Sequence, residues 1–116
     1  MLSKEYSQQY QKLSQLLNQL QQNVTARELE EILATNQTVQ KCFETRIINL
    51  DNSELDPSMA SQLQSYVTEI HKQFKLLSLD ISFLQASQNP QTKQARLANI
   101  SDRLEIIKSY CLSILG

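Results

Sequence analysis

His71, Cys42 and Cys111 are the residues of this chain whose side chains are suited to nucleophilic or metal chemistry, and their surroundings decide what they can do. His71 lies within QSYVTEIHKQFKLLSLDISFLQ, residues 64–85, with Lys75 one helical turn further on. A phosphohistidine needs a lysine for the phosphoryl oxygens and a small residue, usually glycine, where a response regulator can approach. Lys75 meets the first need, but Phe74 and Leu77 leave no gap for the second. Phosphotransfer through His71 therefore stands as the alternative reading. A carboxylate-bridged dimetal site would require Glu-x-x-His pairs, and the residue three before His71 is Thr68. Cys42 and Cys111 have neither CxxC spacing nor a second histidine, so they read as small buried hydrophobes. No nucleophile, base and oxyanion donor can be assembled from these residues. The chain is accordingly read as non-enzymatic, with no catalytic, cofactor-binding or metal residue.

Composition narrows the remaining classes. One glycine, Gly116, and two prolines in 116 residues leave almost no turn chemistry for a hairpin-rich sheet. They also leave no glycine-rich loop to cradle a phosphate, because only backbone without Cβ can approach so closely. Eleven basic and twelve acidic residues give a net charge of −1, without a cluster of Lys and Arg to neutralise nucleic-acid phosphates. The start, MLSKEYSQQY, lacks the apolar core of a signal peptide, and no run approaches the ~20 apolar residues of a membrane span. The expectation is a cytoplasmic protein with no nucleic-acid or membrane partner. In that compartment the glycosylation patterns at Asn23, Asn36 and Asn99 carry no meaning.

Four periodic segments would position any site. Tyr6, Tyr10, Leu13, Leu17, Leu20 and Val24 recur three or four apart and predict a helix over residues 3–23. Thr25-Ala26-Arg27-Glu28 fits a capping box. Leu29, Ile32, Val39, Phe43, Ile47 and Leu50 then keep phase at about 100° per residue, which predicts one helix over 25–50, weakest at Thr35–Thr38. Asp56-Pro57 and Asn89-Pro90 each place a capping side chain before a proline suited to the first helical position. The third helix, to about residue 88, carries Met59, Leu63, Val67, Ile70, Phe74, Leu77, Ile81 and Leu84 on one face. Leu97, Ile100, Leu104, Ile107, Cys111 and Ile114 mark the fourth. Loops of roughly two to six residues force antiparallel neighbours, so the whole chain, residues 1–116, is expected to be a single all-α domain. Its predicted architecture is an up-down-up-down four-helix bundle with a long third helix.

The third helix also carries apolar residues where the seam does not need them. With Ile70 at the centre of the seam, Leu76, Leu79 and Phe83 fall roughly 120–180° away. Ile106 and Tyr110 form a smaller counterpart on the fourth helix. In a four-helix bundle no helix is central. Such a strip is either closed by irregular packing or covered by another copy or partner. Lys72 and Lys75, one turn before the strip, give it a basic rim suited to a homo-oligomeric contact or an acidic, apolar peptide.

Residues 50–115 resemble the PatD family of cyanobacterial heterocyst-frequency control proteins. The likeness is carried by Leu55-Asp56-Pro57, Gln64-Ser65-Tyr66, Thr68-Glu69-Ile70-His71-Lys72-Gln73, Leu76-Leu77, Phe83-Leu84-Gln85-Ala86 and Ile100-Ser101-Asp102-Arg103-Leu104. The first helix agrees only in being Gln-rich and amphipathic. The resemblance implies a small cytoplasmic regulator that binds the tubulin-like division protein FtsZ, alters filament assembly and bundling, and tunes heterocyst frequency. It brings no cofactor and no catalytic residue. A self-associating bundle would present several copies of an FtsZ-binding face, with Leu76, Leu79, Phe83, Ile106 and Tyr110 for assembly and Lys72 and Lys75 for the filament. A homo-oligomeric adaptor for another protein is the remaining alternative.

Overall fold

A computed structural model describes residues 3–116 as four helices: α1 (Lys4–Thr25), α2 (Leu29–Cys42), α3 (Pro57–Ala86) and α4 (Pro90–Leu115). The fold is the antiparallel all-α bundle that the periodicity predicts, drawn out to 50 × 21 × 19 Å. α1 packs along α2 and α4, and α4 along α3, whereas α2 and α3 touch only sparsely. The seam residues named from the sequence meet in one core, with Tyr10, Leu13, Leu17, Ile70, Leu77, Leu104 and Ile107 wholly buried. Phe43 and Phe74 stack obliquely inside it, with ring centroids 5.0 Å apart. Tyr6, Met59, Val67 and Leu97 are only half-buried, and Leu29 is exposed.

The α1–α2 turn departs from the predicted capping box. Thr25 ends α1 and its hydroxyl donates to the Gln21 carbonyl at 3.0 Å, so it caps nothing ahead of it. The helix closes with the Glu28 amide donating to the Asn23 carbonyl at 3.2 Å and the Arg27 amide to Val24 at 3.0 Å. These are the paired bonds of a Schellman ending, whose left-handed position usually holds glycine. Arg27 occupies it with φ 58°, a conformation that costs a residue with a Cβ about 1 kcal/mol. Glu28 becomes the residue before α2 and makes no side-chain cap. Asn23 ties the turn together. Its amide donates to Thr35 Oγ1 at 2.6 Å and to the Glu31 carbonyl at 3.3 Å, while its oxygen accepts from Gln19 at 3.2 Å. Its burial removes it as a glycosylation acceptor on structural grounds as well.

The predicted 25–50 helix is shortened at both ends and changes pitch, but not at Thr35–Thr38. α2 runs without interruption to Cys42 and continues as a π-helical turn over Phe43–Ile47, where the Ile48 amide donates to the Phe43 carbonyl at 3.0 Å. The cause is spacing. Val39, Phe43 and Ile47 are each four apart, and repeated fours drift around an α-helix by about 40° per step. A wider i→i+5 turn brings them back to one face, and all three are buried.

The connection from residue 48 to 56 is longer than expected, because Leu50 and Leu55 fold back against the core. The Asp51 carboxylate accepts the Ser53 amide at 2.9 Å, a bond to the charged form that holds its pKa below the ordinary carboxylate value. At the two Pro-initiated helices the outcomes differ. Asn89 caps α4, accepting the Gln91 amide at 2.8 Å and that of Thr92 at 3.4 Å. Asp56 makes no backbone cap for α3, because its carboxylate is taken by the Ser58 hydroxyl at 2.6 Å.

Candidate protein-interaction surface

α3 divides into three sides. Its seam faces the core. A second side faces α4, where Asp80, buried in an otherwise apolar run, pairs with Arg103. The Arg103 guanidinium also donates to Gln73 Oε1 at 3.3 Å. The third side faces outward, and there Leu79 is 53% and Phe83 48% exposed, with Ile106 of α4 at 41%. Arg96 of α4 lies 4.7 Å above the Phe83 ring, which places Phe83 over the α3–α4 junction.

The five residues singled out for this strip thus split. Leu79, Phe83 and Ile106 stand in solvent. Leu76 and Tyr110 are half-buried, and the Tyr110 ring rests on Tyr66 with centroids 5.8 Å apart. The bundle absorbs the edges of the strip and leaves its centre uncovered. Lys72 and Lys75 are exposed and form no ion pair among the described residues.

His71 lies on the opposite flank of α3, exposed, with Phe43 of the π-helical turn 5.8 Å away between ring centroids. Lys75 is the cation one turn on, and Phe74 and Leu77, where a small residue would be needed, are large and buried. Among the described residues no three His, Cys, Asp or Glu side chains converge to hold a metal ion. Among them, too, no helix is long and apolar enough to cross a membrane.

Cys42 and Cys111 are both buried and unpaired. Burial pushes both thiols up, Cys111 to about 11, with the Ser14 hydroxyl opposing the rise. This fixes a pH dependence. The unfolded thiol loses its proton near its ordinary value of 9.0, whereas the folded one keeps it to about 11. Between those values the native state binds more protons, so stability falls as pH rises, by up to roughly 2–3 kcal/mol for two pH units. Below pH 9 the contribution is complete. Urea midpoints from pH 8 to 11 are expected to drop for the natural protein and to drop less for Cys111→Ala; parallel slopes would refute the assignment.

Sequence reasoning missed the Asp80–Arg103 pair. Its signal was present: Asp80 interrupts LLSLDISFL next to Ile81, a position a helix can bury only with a cationic partner. Comparison of the chain with family models, curated proteins and solved structures returned no match.

Proposed function

We propose that this is a non-catalytic contact protein that self-associates through the outer α3–α4 strip and, as a multivalent assembly, binds and bundles a protein filament. The observation that carries this reading is the uncovered centre of the strip: Leu79, Phe83 and Ile106 lie outside a core that closes without them. Association would remove that apolar surface from water at about 25 cal/mol per Å². In a two-fold assembly each contact is made twice.

The resemblance of residues 50–115 to the PatD family makes FtsZ the filament to test and regulation of heterocyst frequency from the cytoplasm the role. Joining several weak filament-binding faces raises the effective concentration of the second contact, which crosslinks filaments at modest affinity per site. The exposed Lys72 and Lys75 are the filament-facing cations of this reading.

Co-sedimentation tests it. FtsZ polymerised with GTP at a defined salt concentration is expected to carry the protein into the pellet and to sediment in greater amount when the protein is present. A protein that stays in the supernatant and leaves the sedimented FtsZ unchanged would rule out FtsZ as the partner.

A further inference from the structure

At the end of the bundle where the α1–α2 and α3–α4 turns meet, an open pocket of about 220 Å³ shares no lining residue with the strip. Ile32 and Leu84, from the core edge, make its floor, with Leu97 and Leu29 as apolar walls. Arg27 and Lys93 stand on its rim, and they are its lining charges. Neither is in an ion pair among the described residues. Glu28, just before α2, and Glu30 and Glu31 in its first turn are exposed but do not line the pocket.

The position of Arg27 follows from the turn. As the left-handed residue of the α1 ending it sits where glycine would be cheaper, yet it is exposed and lines the pocket beside residues of α4. The pocket is smaller than the ~300–1,000 Å³ typical of sites that enclose a whole small molecule, and it is open on one side. That size and shape admit one large apolar side chain, with the rest of its chain lying across the rim.

We infer that this pocket docks an acidic peptide segment of a partner protein, seating one aromatic or leucine side chain on Ile32, Leu84 and Leu97 while flanking carboxylates meet Arg27 and Lys93. Charge complementarity selects the occupant. Two unpaired cations over an apolar floor oppose a basic peptide and reward an anionic one, whose carboxylates steer the encounter and fix the orientation. A buried anchor with a polar, charged rim is the usual layout of such a contact. The inference deepens the contact reading, since it supplies a partner surface separate from the assembly surface.

The probe is a fluorescein-labelled peptide, Gly-Asp-Glu-Phe-Asp-Glu, titrated with the full chain and followed by fluorescence anisotropy at low salt. Saturable binding is expected, weakened at least tenfold when Phe is replaced by Ala in the peptide, and abolished when its acidic residues become Lys. In the protein, Arg27→Asn with Lys93→Gln should also weaken binding at least tenfold. Asn tolerates the left-handed backbone and both positions are exposed, so helicity by circular dichroism should be unchanged. The Leu79→Glu/Phe83→Glu protein should bind the peptide as the natural one does. Absence of saturable binding, or equal binding by the Arg27→Asn/Lys93→Gln protein, overturns the inference. So does binding of octanoate in the pocket without binding of the peptide, which would make the ligand a small amphiphile. Failure of FtsZ to co-sediment while the peptide binds would remove the filament and leave the pocket standing.

Discussion

Changing Leu79 and Phe83 together to Glu is expected to reduce the mass of the protein in solution to that of a single 13.4 kDa chain while leaving its helicity and unfolding midpoint almost unchanged. Both side chains stand about half in water, and the core closes without them, so their replacement opens no cavity. In an assembly, however, four carboxylates would face each other across a two-fold contact, where like charges meet in a partly dry interface at a cost of several kcal/mol. The natural contact is small, and association carries its own entropic cost, so the assembly is expected to depend on protein concentration. Light scattering coupled to size exclusion, across a hundredfold range of concentration, reads the result. A natural protein that is monomeric throughout, or a double variant that unfolds, would sink the assembly reading. The same variant should still bind single FtsZ filaments and lose the power to bundle them.

Arg103→Met is expected to lower stability by about 3 kcal/mol and the thermal midpoint by roughly 10 °C, since it strands the buried Asp80 carboxylate without a cation. The guanidinium is itself partly solvated, with 28% of its side chain accessible, so the loss should fall at the lower end of that range for broken buried pairs. Gln73, which accepts from the same guanidinium, cannot replace the charge. The companion variant Asp80→Leu/Arg103→Met should recover to within about 1 kcal/mol of the natural protein, because replacing both partners removes the desolvated charge together with its counter-ion. Urea unfolding of the four proteins in the cycle measures the coupling. A single-variant loss below about 1 kcal/mol would mean that solvent screens the pair as it does a surface bridge.

The helical seam was legible because burial of one face imposes a period of three and four on apolar residues, a constraint written locally. Tyr10, Leu13, Leu17 and Leu20 in α1 and Ile100, Leu104 and Ile107 in α4 lie wholly in the core as that period requires. Helix ends were less legible, since Thr25 and Asp56 have the side chains of caps but spend their oxygens elsewhere. Which partner a hydroxyl or carboxylate takes depends on a competition among neighbouring donors that residue type does not resolve. The strip was half legible. Helical phase placed Leu76, Leu79 and Phe83 away from the seam, but whether α4 would reach them was a matter of how two helices cross.

Sequence by itself determined the all-α class, the four helices and the identity of nearly all core positions, because each follows from the chain's own periodicity and its shortage of glycine and proline. Only tertiary structure decided the rest. It set the π-helical turn at Phe43–Ile47, where three residues spaced by four must reach one core, and the pairing of Asp80 with Arg103 across the α3–α4 seam. It left Leu79, Phe83 and Ile106 uncovered, and brought Arg27 of the α1–α2 turn and Lys93 of α4 to one rim. Contacts between residues distant in the chain depend on helix register and crossing, which no single segment encodes.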